Sequence, residues 1–187
     1  MATEALKTTP IAALDASPPL FPTIGEGGAG HLKSVNAHVV ATAGVTLGST
    51  YRMVRIPTNA KVKRVFLTNA AQGATGNVDI DVAFSDSPGE NQQFQQFAGG
   101  IVQISAADNK LFGSAVAITS AQKNQDQTFA NTFTTDHQNL PLWQVLVNLG
   151  TTQFSSDPGG SFDILLKNTS TLANGGDLSI EVQFVVG

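Results

Sequence analysis

Cysteine is absent from the 187 residues, which excludes disulfides, thiol nucleophiles and cysteine-ligated metal. With one Trp and one Tyr beside eleven Phe, the chain is poorly equipped to build a sugar-binding platform from amphipathic rings. Charged residues amount to 13% against a globular norm of about 25%, so twelve Asn and thirteen Gln carry much of the polar surface. A net charge of −4 offers no general attraction to nucleic acid or anionic membranes. No stretch approaches the ~20 apolar residues of a membrane span, and the first thirty residues lack a basic-then-apolar leader pattern. The expectation is a soluble protein without an export signal, with neither nucleic acid nor membrane as partner.

What is present divides in two. Residues 1–30 hold four of the eight prolines (Pro10, Pro18, Pro19, Pro22) and the glycines Gly25, Gly27, Gly28 and Gly30, so neither helix nor central strand can propagate through them. Their apolar residues Ile11, Leu14, Leu20, Phe21 and Ile24 follow no period. Such a segment buries too little apolar surface to offset an ordering entropy of ~1–2 kcal/mol per residue. It reads as an extended arm that orders on a partner surface, with Ile11, Leu14, Leu20 and Phe21 as its candidate anchors.

Residues 31–187 read as one β-sandwich domain. The strictest alternation places Val78, Ile80, Val82 and Phe84 inward against Asp79, Asp81, Ala83 and Ser85, and Leu178, Ile180, Val182 and Phe184 repeat it. Further strands are expected at 34–42, 50–57, 61–68, 101–105, 114–119, 128–135, 142–149 and 161–168, bounded by Gly, Pro, Asn and Asp. Ser87, Pro88 and Glu90 with Phe94 and Phe97 also permit a short capped helix before Gly99. Gly76–Phe84 echoes Gly176–Phe184, with Gly, Ile, Val and Phe recurring in register, and each segment follows a strand after a short loop. Two hairpins are expected, one per packed sheet, whether by duplication or because amphipathic hairpins resemble one another. The fold class expected is all-β, an antiparallel β-sandwich of jelly-roll type with an extended N-terminal arm.

Catalytic and cofactor motifs fail on context. Gly25-Glu26-Gly27-Gly28-Ala29-Gly30 spells G-x-G-x-x-G, but Pro22 precedes it and no helical period follows, so it reads as a hinge and not a dinucleotide loop. His31, His38 and His137 share no ligand spacing. There is no G-x-S-x-G elbow. Asp79 and Asp81 share a strand face, and a hairpin through 69–76 would set Lys63 opposite Asp81, so the expectation is cross-strand charge pairing on a solvated face. Nothing here calls for a cofactor or a metal, and no enzyme is expected.

Arg52, Arg55, Lys61, Lys63 and Arg64, five of the ten basic residues, fall within one short stretch. They are either a docking patch on an acidic protein or the ordinary charged outer face of strands.

The run Gly48-Ser49-Thr50-Tyr51-Arg52-Met53-Val54-Arg55-Ile56-Pro57, followed by Ala60-Lys61-Val62-Lys63-Arg64-Val65, resembles small structural proteins from the head gene clusters of tailed bacteriophages. Lys7-Thr8-Thr9-Pro10, Gly25-Glu26-Gly27 and Leu32-Lys33-Ser34-Val35 are similar to the same group, and the resemblance spans roughly residues 7–85. It implies a capsid cement or decoration protein, made in the host cytoplasm and carried on the virion's capsid surface. The implied partners are the major capsid protein and further copies of the chain as a homo-oligomer. A head-fibre base, a tail part, or a receptor- or carbohydrate-binding β module are the alternatives.

Overall fold

The inward sets of the two strictest strands are buried: Val78, Ile80 and Val82 on one, Leu178, Ile180, Val182 and Phe184 on the other. They belong to opposite sheets of a sandwich. The computed structural model describes residues 5–7, 31–84, 93–96, 100–103, 109–151 and 154–186. Its strands are β1 (Ala5–Lys7), β2 (Leu32–Ala41), β3 (Thr50–Pro57), β4 (Ala60–Asn69), β5 (Asn77–Phe84), β6 (Gln93–Gln96), β7 (Gly100–Gln103), β8 (Gly113–Ala117), β9 (Gln122–Asp126), β10 (Ser161–Asn168) and β11 (Gly176–Val186). One sheet, here sheet A, runs β1-β3-β10-β5-β8, and sheet B runs β2-β11-β4-β9. β6 and β7 form a separate antiparallel hairpin.

The pairing follows one rule. β2 pairs with β11, β3 with β10, β4 with β9 and β5 with β8, all antiparallel. The chain is therefore a long double strand folded back at the β5–β8 connection and rolled up, which is the jelly roll. Rolling brings β10 beside β5 and β11 beside β4. The core between the sheets includes Tyr51, Met53, Ile56, Val65, Leu67, Phe112, Phe133, Phe162 and Ile164.

The expected hairpins are corrected by this topology. β4 and β5 lie in different sheets, as do β10 and β11, so the loops between them cross the sandwich. Loop length alone cannot distinguish a hairpin from such a crossing, and the echoing segments occupy opposite sheets. Segment 142–149, expected as a strand, contains the helix α1 (Leu142–Asn148). Pro141 precedes it, and Leu142, Val145 and Leu146 bury one face at i, i+3 and i+4 spacing. Segment 128–135 is turn and not strand, and a 3-10 turn follows at Asp136–Asn139. The helix permitted around Phe94 is instead strand β6; residues 85–92 lie outside the described set. β9 (QKNQD) has no apolar residue to announce it. Of the arm, Ala5–Lys7 pairs in parallel with Thr50–Arg52 at the edge of sheet A. Ile11, Leu14, Leu20, Phe21 and the Gly25–Gly30 run lie outside the described residues.

Candidate interaction surfaces

Two of the five clustered cations meet on one carboxylate. The β3–β10 register slips between Ile164 and Leu165, where Val54 faces Ile164 but Arg52 faces Leu165. Met53 is the extra residue, a β-bulge that lets Met53 and Val54 both be buried and puts Arg52 and Arg55, three apart, on the same face of sheet A. There Arg52 Nη1 donates to Asp163 Oδ2 at 2.8 Å. Arg55 donates through Nε to Oδ1 at 2.7 Å and through Nη2 to Oδ2 at 3.1 Å. Asp163 is fully buried, so this bidentate, doubly charged clamp is what makes its burial tolerable. Sequence reading passed over Asp163. Its signal was a carboxylate inside an otherwise apolar strand, Phe162-Asp163-Ile164-Leu165-Leu166.

Asp79 and Asp81 do not sit on a solvated face and do not pair with Lys63. Both are buried, and both bind backbone. Asp81 Oδ1 accepts from Lys110 N at 2.6 Å and Asp79 Oδ1 from Ala115 N at 2.6 Å. Lys110 and Ala115 are two of the non-glycine residues with positive φ, at 48° and 49°. Ala115 stands where the β5–β8 register shifts between Val78 and Ile80. The two carboxylates thus hold left-handed backbone in place, with Lys110 Nζ 3.7 Å from Asp79 Oδ2. Lys63 was misplaced opposite Asp81 because the two strands belong to different sheets.

The other three cations lie on β4. Lys61 is half-buried. Lys63 is the extra residue of a second bulge, where Phe184 faces Val62 but Gln183 faces Arg64. Its Nζ donates to Gln138 O at 2.7 Å, and Gln138 Nε2 donates back to Lys63 O at 2.6 Å. Arg64 Nη1 donates to Asp126 Oδ2 at 2.6 Å. The sequence cluster is therefore split between two sheets, and four of its five members hold the chain's own groups.

The outer face of sheet B is polar and forms a shallow groove, lined among others by Asn36, His38, Phe66, Asn124, Ser179 and Glu181. Diagonal cross-strand pairs knit it. Ser34 Oγ donates to Glu181 Oε1 at 2.8 Å, and His38 Nε2 lies 2.9 Å from Asp177 Oδ1. Hydrogen bonds from Gln183 and Ser34 hold the Glu181 carboxyl below the usual range. Burial pushes Asp126 upward, but the Thr128 hydroxyl and amide and the Arg64 guanidinium outweigh it, so Asp126 too is lowered. Periodicity marks these residues only as the solvent-facing half of each alternating strand and does not show that they form a groove.

Among the described residues no three His, Asp or Glu side chains group as a metal site. His31 is exposed, His38 pairs with Asp177, and His137 Nδ1 accepts from Thr134 N at 3.1 Å beside the Phe133 ring.

No family model matches the sequence, and no curated protein matches it. Among solved structures, a chain in the capsid of Ralstonia phage GP4 aligns over 98% of this chain and 98% of that one, with TM-score 0.63 and 10% identity. The chain shares its fold with a phage-capsid chain. A chain of the cyanophage Pam1 capsid asymmetric unit aligns over 92% of this chain and 96% of that one, at TM-score 0.46 and 15% identity. At 10% identity the likeness to the first is one of rolled-up topology, and it agrees in kind with the head-protein resemblance carried by residues 7–85.

Proposed function

We propose that the protein is a non-enzymatic structural component of a phage virion, a cement protein that binds the outside of the capsid and staples neighbouring capsomers. The end-to-end fold likeness to a chain of the GP4 capsid carries this reading, because it takes in nearly the whole of both chains. The chemistry is consistent with it. Asp79, Asp81 and Asp163, the buried carboxylates of sheet A, hold backbone amides and arginines, which is work for stability and not for turnover.

The mechanism is avidity. A β domain docked on one subunit makes the binding of its tethered arm effectively intramolecular, so a weak second contact holds well. Ordering the arm costs free energy, and the receiving groove on the major capsid protein supplies pockets for Ile11, Leu14, Leu20 and Phe21. Since Arg52, Arg55, Lys63 and Arg64 already have partners within the chain, the arm is the stronger candidate for the capsid contact. The test mixes purified expanded capsids with the full chain and with a chain lacking residues 1–30. The full chain should bind in hundreds of copies per particle by quantitative mass spectrometry and raise the capsid melting temperature. The shortened chain should fold yet bind at least ten-fold more weakly. Equal occupancy and equal stabilisation would refute the arm's role; a dozen copies or fewer per virion would point to a tail or fibre-base component.

A further inference from the structure

A sheet edge is an open row of backbone donors and acceptors, and proteins blunt such edges with short strands, bulges, charges or a covering segment. Three of the four edges in this sandwich are blunted. β8 has five residues, a register shift and the left-handed Ala115. β9 has five residues, a register shift and the left-handed Asn124 beside Lys123. β3 carries the Met53 bulge and has β1 along part of it. Of these β2 has only a single charge near one end, Lys33. Its ten residues run in unbroken register against β11 from Leu32 to Ala41, without proline, glycine or bulge. Among the described residues its outer edge pairs with nothing.

We infer that β2 is the seam of a two-fold dimer, in which β2 of a second copy lies antiparallel alongside it and joins two four-stranded sheets into one of eight. The strand's own sequence selects the partner. Its solvent-facing residues are Leu32, Ser34, Asn36, His38 and Val40, with the two apolar ones at opposite ends, 60% and 57% exposed. Setting Asn36 against Asn36 on the dyad brings Leu32 against Val40 of the second copy at both ends and Ser34 against its His38. Lys33 then faces Val39 of the second copy, so no charge meets its like. Shifting the dyad to Ala37 sets Val40 against Ser34 and Leu32 against Thr42, beyond the end of the strand. The match is that of an isologous interface, in which one patch complements itself. It depends on the strand alone and holds whether or not the chain sits on a capsid.

Edge pairing of one strand buries less than the ~1,200 Å² of a standard stable interface, so the dimer should form over micromolar concentrations. Sedimentation of the full chain between roughly 1 and 200 µM should show the mass rising from 19.5 kDa toward twice that value. Asn36→Lys and Asn36→Asp should each weaken the dimer at least ten-fold, because each sets like charges on the dyad, with unchanged thermal melting since Asn36 is exposed. Mixed one to one, the two variants should recover a heterodimer by native mass spectrometry. Ser179→Lys, on the face of the neighbouring strand, should leave the dimer intact. A wild-type monomer at the highest concentration, failure of the mixed variants to pair, or loss of the dimer in Ser179→Lys would each overturn the proposal. So would a chain that dimerises only after residues 8–30 are removed, with β1 left in place on β3, since its own arm would then be what covers the strand.

Discussion

Arg55 grips Asp163 across 108 positions of sequence with two parallel hydrogen bonds, Nε to Oδ1 at 2.7 Å and Nη2 to Oδ2 at 3.1 Å. The geometry exists because the Met53 bulge turns Arg55 onto the face that already carries Arg52. A buried carboxylate held this way is costly to disturb from one side only.

Asp163→Ala should destabilise the chain by about 3–5 kcal/mol, because two arginines are left facing each other over an apolar strand. In a protein of this size that lowers the melting temperature by on the order of 10 °C. The triple replacement Arg52→Met, Arg55→Met, Asp163→Leu should recover most of the loss. Calorimetry of the two variants makes the comparison; equal melting points for Asp163→Ala and the native chain would show that the clamp is not a stabilising unit.

Ala115→Gly should raise stability by up to about 1 kcal/mol, since an L residue at positive φ carries ~1–2 kcal/mol of strain that glycine lacks, less its extra unfolded-state entropy. Asp79→Ala should do the opposite, orphaning the Ala115 amide at a cost of about 1–3 kcal/mol. Urea denaturation at constant m-value reads both signs.

Acid should weaken sheet B. Asp126 and Glu181 have folded pKa values below their ordinary ones, so their contribution is full above the unfolded carboxylate values near pH 4–4.5 and is lost as pH falls through the depressed folded values. Both are largely solvent-facing, so the effect is small. Asp126→Asn should flatten the stability curve below about pH 4.5 and leave its shape at pH 7 unchanged, as followed by thermal melts across that range.

Leu146→Ala should cost about 2–5 kcal/mol, because Leu146 is fully buried on the inner face of α1. Trp143, the chain's single tryptophan, lies on the same helix and packs against the core. Its fluorescence should shift in one step with far-ultraviolet circular dichroism if the domain unfolds as a unit. Separate transitions would show that α1 detaches first.

Alternation was legible wherever one face of a strand is apolar, so the inward sets of β5 and β11, the bounds of β3 and β10 and the all-β jelly-roll class followed from the sequence. β9 escaped because a strand with no apolar residue carries no period, and the groove escaped because it is assembled from separate strands. α1 was mistaken for a strand because Leu142, Val145, Leu146 and Val147 satisfy a dense apolar run as well as a helical stripe, and only the burial of 142, 145 and 146 separates the two. The basic cluster was visible, but its division was not. Whether Arg52 and Lys63 share a surface depends on two bulges and a change of sheet, and none of these leaves a mark in composition. The buried carboxylates were misread for the same reason, since an alternating Asp means solvent only where nothing lies over that face.

The rolled pairing of first strands with last also sets a schedule. β2 and β4 are joined through β11, and Ser34 meets Glu181 only across 147 positions. During synthesis β2 and β4 therefore wait with open edges until the distant strand arrives, a topology that folds slowly. An interrupted chain would expose both flanks of the gap, so truncation before Gly176 should yield aggregates and not a smaller, less stable domain.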